Sequence, residues 1–186
     1  MTTVSPAQTE INSVLALYFN GQTQEALGAV ETLTKSYPND PVLLNISGAC
    51  YAGLGQLDRA VKYYEKALTI KPDYAKAHNN LGVTLQELGQ LDAAVKSYEK
   101  ALVIELNSLS QDNQTGHAEP FNNLGIVLKE LGQLDTSINS YEKVLAIKPD
   151  FAEAHFNLGV TLQALGKFDV SVKSFEKAIA IKPDYA

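Results

Sequence analysis

Side chains able to do chemistry are few in this chain and thinly spread. His78 and His155 fall 77 residues apart, at the same place in two copies of a repeated segment, so stacked repeats would keep them from sharing a metal. His117 has no Cys or acidic partner at a ligand spacing. Cys50 is the one cysteine, so there is no intramolecular disulfide and no thiolate cluster for zinc or an iron–sulfur centre. Its place among small helical residues reads as a buried structural thiol. Phosphate-binding Gly-rich loops, a G-x-S-x-G nucleophile elbow and a dinucleotide fingerprint do not occur. The reading is a chain without catalytic residues, metal or cofactors, not an enzyme. Asparagine is what recurs. Asn80, Asn123 and Asn157 take the same place in three copies, Asn12 takes it in a weaker first copy, and Ile46 breaks the series in the second. An amide both donates and accepts, so such a row can hydrogen-bond an extended peptide backbone whatever its sequence. Asn79, Asn122, Gln86, Lys129, Glu130 and Gln163 are expected to be exposed beside it.

The element that must position these residues is a repeat of 34. Residues 75–108 and 152–185 are identical at 20 of 34 positions without a gap, and the same frame fits 41–74, 118–151 and, more weakly, 7–40. Each copy has two amphipathic blocks split by a glycine (Gly21, Gly55, Gly89, Gly132, Gly166), which predicts a helix, a left-handed turn and a second helix. Asp58, Asp92, Asp135 and Asp169 suit the positive end of the second helix, and Pro38, Pro72, Pro149 and Pro183 stop it. Asp40-Pro41 and Ser5-Pro6-Ala7-Gln8 read as helix starts. Gly48, Gly82, Gly125 and Gly159 lie mid-helix, where glycine costs about 1 kcal/mol against alanine, so a neighbour is expected to need the space. Tyr64, Tyr98, Tyr141 and Phe175 are expected to fill it, beside Ala60, Ala94, Ser137 and Ser171. One pair cannot bury its apolar faces alone, so the copies must stack.

The pattern L-G-x-x-L-x-x-L-G, then D-x-(A/S)-(V/I)-x-x-(Y/F)-E-K-(A/V), then K-P-D resembles the tetratricopeptide repeat, in five copies over 170 of the 186 residues. The resemblance implies an all-α fold, an alpha-alpha superhelix forming a right-handed solenoid of five helix-turn-helix repeats, whose first helices line a concave groove for peptides or partner proteins. The runs are most similar to bacterial multi-repeat proteins and to the non-catalytic repeats of O-linked N-acetylglucosamine transferase, a family that uses asparagines at the matching place. A second mode in the family, a basic clamp on a C-terminal carboxylate, is not matched. Glu119 and Glu153 stand where Lys76 would begin it, and the sole arginine, Arg59, belongs to a second helix.

Composition narrows the partners. Fifteen basic against 21 acidic residues give a net charge of −6, and there is no basic stripe, which argues against nucleic acid. No signal-peptide pattern or membrane-length apolar run occurs, so a cytoplasmic protein without a membrane partner is expected. Asn45-Ile46-Ser47 and Asn113-Gln114-Thr115 then have only the form of glycosylation sites. Residues 109–117 interrupt the repeat and Ile104 is not followed by the usual proline, predicting a helix extended toward Leu109 and a protruding loop over 110–117. Glu10 and Ser13 make the first copy polar, as in a cap, whereas the last copy ends at Tyr185 without one. The chain is accordingly expected to be one solenoid domain over 1–186, an N-terminal fragment of a longer protein, with a homo-oligomer open to it through its uncapped C-terminal end. The functional expectation is a protein–protein interaction module. Its alternatives are a self-assembling scaffold and the substrate-recruiting arm of a glycosyltransferase-type or sulfotransferase-type enzyme.

Overall fold

Ten helices and no strands make up the described part of the protein, which in this computed structural model comprises residue 6, residues 8–107 and residues 118–185. In chain order they are α1 (Gln8–Phe19), α2 (Thr23–Ser36), α3 (Pro41–Gly53), α4 (Leu57–Ile70), α5 (Ala75–Glu87), α6 (Leu91–Asn107), α7 (Ala118–Glu130), α8 (Leu134–Ile147), α9 (Ala152–Ala164) and α10 (Phe168–Ile181), with a 3-10 turn at Pro183–Tyr185. They make five helix–turn–helix repeats. The turns form because Gly21, Gly55, Gly89, Gly132 and Gly166 all take φ between 71° and 79°, which a side chain at Cβ disfavours. Around Gly55, the Gly55 amide donates to Ala52 and that of Gln56 to Tyr51, closing two orphan carbonyls of α3. Asp40 caps α3 from outside: its Oδ1 accepts from the amides of Val42 and Leu43 at 2.9 and 3.0 Å, with Pro41 in the first turn. The corresponding start at Ser5 lies outside the described residues.

The chain divides into two units, Met1–Gln90 and Leu91–Ala186. Within the first, α1 touches α3 and α3 touches α5, while α2 and α4 do not touch each other. Within the second, α7 touches α9, and α8 and α10 do not meet. The first helices of each unit therefore lie side by side on its inner edge, and the second helices are splayed along its outer edge. Within each pair the small residues set how closely the two helices pack. A Cβ on Gly48 would sit 2.6 Å from Cε1 of Tyr64, one on Gly125 2.6 Å from Cε1 of Tyr141, and one on Gly159 2.6 Å from Cε1 of Phe175. Gly48, Gly125 and Gly159 are thus sockets for aromatic rings of the next helix. The Ser137 hydroxyl also donates to the Gly125 carbonyl at 2.7 Å, and that of Ser171 to the Gly159 carbonyl at 2.8 Å. Ala60 and Ala94, at the same place in earlier repeats, keep the space but lack the bond.

α6 continues past Ile104 to Asn107, as the missing proline predicts, whereas the expected extension to Leu109 and the loop at 110–117 lie outside the described residues. Glu10, Asn12 and Ser13 of α1 are exposed. α10 leaves Phe168, Val172 and Ile179 exposed on one stripe, at 63%, 53% and 45%. No described helix is long and apolar enough to cross a membrane.

Candidate functional site

The inner edge of each unit carries an asparagine pair. In the first unit Asn80 of α5 donates from Nδ2 to Oδ1 of Asn45 on α3 at 3.1 Å. In the second, Asn157 of α9 donates to Oδ1 of Asn122 on α7 at 3.3 Å, and Asn122 donates in turn to Oε1 of Glu153 at 2.9 Å. The two pairs are built alike: each joins residues 35 apart or, in repeat terms, one place in a helix to the place before it in the preceding first helix. The stagger of neighbouring helices makes the rung diagonal. Asn80, Asn123 and Asn157 are half-buried, so they keep a face toward solvent. Each amide has two N–H groups and two acceptor lone pairs, and at Asn80 and Asn157 one inter-helix bond leaves capacity for a ligand backbone.

Several sequence expectations need correcting at this edge. Asn79 and Asn122 are not exposed neighbours of the row but are buried, at 9% and 2% exposure, because they face the adjoining helices. Gln86 and Lys129 are half-buried, and Glu130 and Gln163 are exposed. Asn45 belongs to the arrangement although the sequence marks it only as the head of a glycosylation triplet. It is buried, as is Ser47, whose hydroxyl is spent on the Leu43 carbonyl, so the triplet offers no surface for a sugar. The Asn113 triplet and His117 lie outside the described residues.

In the second unit the inner edge deepens into a cavity of about 400 Å³ at the start of α7 and α9, lined by Glu119, Asn122, Asn123, Lys148, Phe151 and Glu153. The Lys148 ammonium lies 5.0 Å from the centroid of the Phe151 ring, within cation–π range. Glu153 is held by Asn122, so its carboxylate has a fixed place on the wall.

The other described groups able to do chemistry make contacts inside the fold. Nε2 of His78 meets the Pro72 carbonyl at 3.0 Å and Nε2 of His155 the Pro149 carbonyl at 2.9 Å, in each case tying a first helix to the loop before it. Cys50 is fully buried, and burial pushes its thiol up to about 11. Burial likewise raises Tyr51 and Tyr64 far above the usual phenol range, and Tyr141 to about 12. The Ser137 and Thr161 hydroxyls oppose the shift at Tyr141, although the Tyr141 hydroxyl has no well-aligned hydrogen bond among the described residues. Tyr51 donates to Oε1 of Glu31 at 2.6 Å beneath Arg59, whose guanidinium stacks 4.2 Å from the ring centroid. That places the sole arginine on a buried tyrosine, away from the asparagine pairs. Among the described residues no group of three or more His, Cys, Asp or Glu could hold a metal ion.

Comparison with known proteins agrees with this architecture. Family models described as TPR repeat match residues 48–89 and 125–166, and models described as tetratricopeptide repeat match 75–107 and 152–185. Two curated relatives, the peroxisomal targeting signal receptors of Candida glabrata and Kluyveromyces lactis, are 30% identical over 70 and 67 residues, or 38% and 36% of this chain. The matched stretch is only 12% of the length of either receptor. A crystal structure of MamA is 25% identical, with a TM-score of 0.77 over 91% of this chain and 94% of that one. MamA from Desulfovibrio magneticus RS-1 is 21% identical, with a TM-score of 0.80 over 99% of both chains. YrrB, described as a TPR protein with an unusual peptide-binding site, is 23% identical, with a TM-score of 0.72 over 97% of this chain and 88% of that one. With helix pairs turned on left-handed glycines, aromatic rings seated on mid-helix glycines and family models matching repeat after repeat, the chain belongs to the tetratricopeptide repeat family.

Proposed function

We propose that this protein is an interaction module that binds an extended peptide or a segment of a partner protein along its first helices, with Asn80, Asn123 and Asn157 hydrogen-bonding the ligand backbone. The observation that carries the reading is the pair of asparagine rungs, Asn45–Asn80 and Asn122–Asn157, which hold amides in fixed orientation on the inner edge of each unit. Preorganised polar groups lose little entropy when a ligand arrives. The peptide-binding site named for YrrB and the signal-receptor role named for the peroxisomal relatives are in keeping with it. The same edge would serve the recruiting arm of a larger enzyme, a role that a catalytic domain in the full gene would distinguish.

The test is a lysate pull-down read by mass spectrometry, comparing the chain with an Asn80→Ala, Asn123→Ala, Asn157→Ala triple variant whose circular dichroism matches. Each lost rung is expected to cost about 1 kcal/mol of stability, so the variant should stay folded. Partners captured by the wild type and lost by the variant support the reading. Equal capture by both would move binding to another face.

A second reading, self-association, is favoured by the apolar stripe Phe168, Val172 and Ile179 on α10. α8 has its corresponding flank covered by α9, whereas α10 has this stripe open. Sedimentation should then show a mass that rises with concentration and falls back in a Val172→Lys variant; a constant monomer mass would discard it.

A further inference from the structure

Resting on the groove reading, a sharper statement can be made about the ligand. We infer that the cavity between the starts of α7 and α9 is a subsite for a basic side chain, lysine or arginine, of the bound peptide. Its walls carry two carboxylates, Glu119 and Glu153, against one ammonium, Lys148. That ammonium is turned onto the Phe151 ring at 5.0 Å, and among the described residues it is not paired with either carboxylate. Among the described residues Glu153 has one hydrogen-bond partner, the Nδ2 of Asn122, and Glu119 has none. Asn122 is 2% exposed and is itself fixed by Asn157, so the Glu153 carboxylate is held from behind with an oxygen left for a ligand. A volume of about 400 Å³ accepts a lysine or arginine side chain with water to spare.

The rest of the chain supplies an internal contrast. At the same places in the α3–α5 repeats the sequence has Val42 for Glu119, Lys76 for Glu153, Lys71 for Lys148 and Tyr74 for Phe151. The asparagine rung is kept there and both carboxylates are lost. Backbone recognition is thus common to the two units, while the preference for positive charge is confined to the second. With Glu119 exposed and Glu153 half-buried, these carboxylates steer and select rather than bind tightly, so the signature is a preference at one ligand position.

The experiment is selection from a phage-displayed library of random twelve-residue peptides on the full chain, followed by sequencing. Lysine and arginine together should be enriched about five- to tenfold over glutamate and aspartate at one position, the size expected of one or two partly screened ion pairs. Glu119→Gln with Glu153→Gln keeps the shape and an acceptor for Asn122. It should still capture peptides but lose that enrichment, and Glu119→Lys with Glu153→Lys should turn it toward acidic residues. Peptides captured through the asparagines with no basic preference, or with a preference unchanged in the Gln variant, would overturn the subsite and leave the groove reading standing. Failure of the wild type to capture any peptide would overturn the groove reading, and the subsite with it.

Discussion

Gly125 and Gly28 are both helical glycines, and their surroundings give them opposite roles. A methyl on Gly125 would press on the Tyr141 ring at 2.6 Å, and Tyr141 is fully buried and cannot swing away. The better helix propensity of alanine, about 1 kcal/mol, is outweighed by overpacking of about 1 to 3 kcal/mol. Gly28 on α2 has nothing within 4 Å of its missing Cβ. Urea unfolding should therefore find Gly125→Ala destabilised and Gly28→Ala stabilised, the latter by about 0.5 to 1 kcal/mol. A stabilised Gly125→Ala would mean that the ring does not occupy the glycine socket. The serine bond is a smaller effect in the same place. Ser137→Ala should cost about 1 kcal/mol, since it leaves a buried carbonyl short of one donor.

At the scale of elements, helix ends are decided locally and helix faces are decided by neighbours. Asp40 illustrates the first: Asp40→Ala should lower stability by about 1 kcal/mol through two orphaned amides of α3, measurable as a shift in the urea midpoint at unchanged slope. Such ends were legible because caps, turn glycines and stop prolines act within one or two residues of themselves. The same holds for the glycine–aromatic sockets, whose 16-residue spacing recurs as Gly48 with Tyr64, Gly125 with Tyr141 and Gly159 with Phe175. The asparagine edge was only half legible. Aligning the copies puts Asn80, Asn123 and Asn157 in one column, but stacked helices are staggered, so Asn80 meets Asn45 from the neighbouring column. For the same reason Asn79 and Asn122 look like surface in the alignment and are interior in the fold. Glu153 as the partner of Asn122, and Arg59 as the lid on Tyr51, join residues with no repeat-wide pattern to announce them. Spacing within one helix pair is written in the chain, whereas stagger between pairs emerges from how the side chains pack.

Over the whole molecule, the buried phenols set the alkaline limit of stability. In the unfolded chain a tyrosine ionises near its ordinary value of 10.0, while in the fold Tyr51, Tyr64 and Tyr141 stay neutral well above it. Between the two values the unfolded state binds fewer protons, so stability falls as pH rises, at up to about 1.4 kcal/mol per pH unit for each such group. Cys50 adds to this above the ordinary thiol value of 9.0. The urea midpoint should hold below pH 9 and drop steeply beyond pH 10, and a midpoint flat through that range would contradict the burial of these tyrosines. The proposed function belongs to the same scale, because within each unit it is neighbouring first helices that would present their amides to a ligand together. The most direct measurement is photo-cross-linking of a captured peptide, with the reactive side chain placed singly at Val83, Lys129 or Gln163 on first helices and at Glu65, Glu99 or Glu142 on second helices. The account predicts adducts from the first three positions, competed by unlabelled peptide, and none from the last three. Adducts arising from the second helices instead would contradict it.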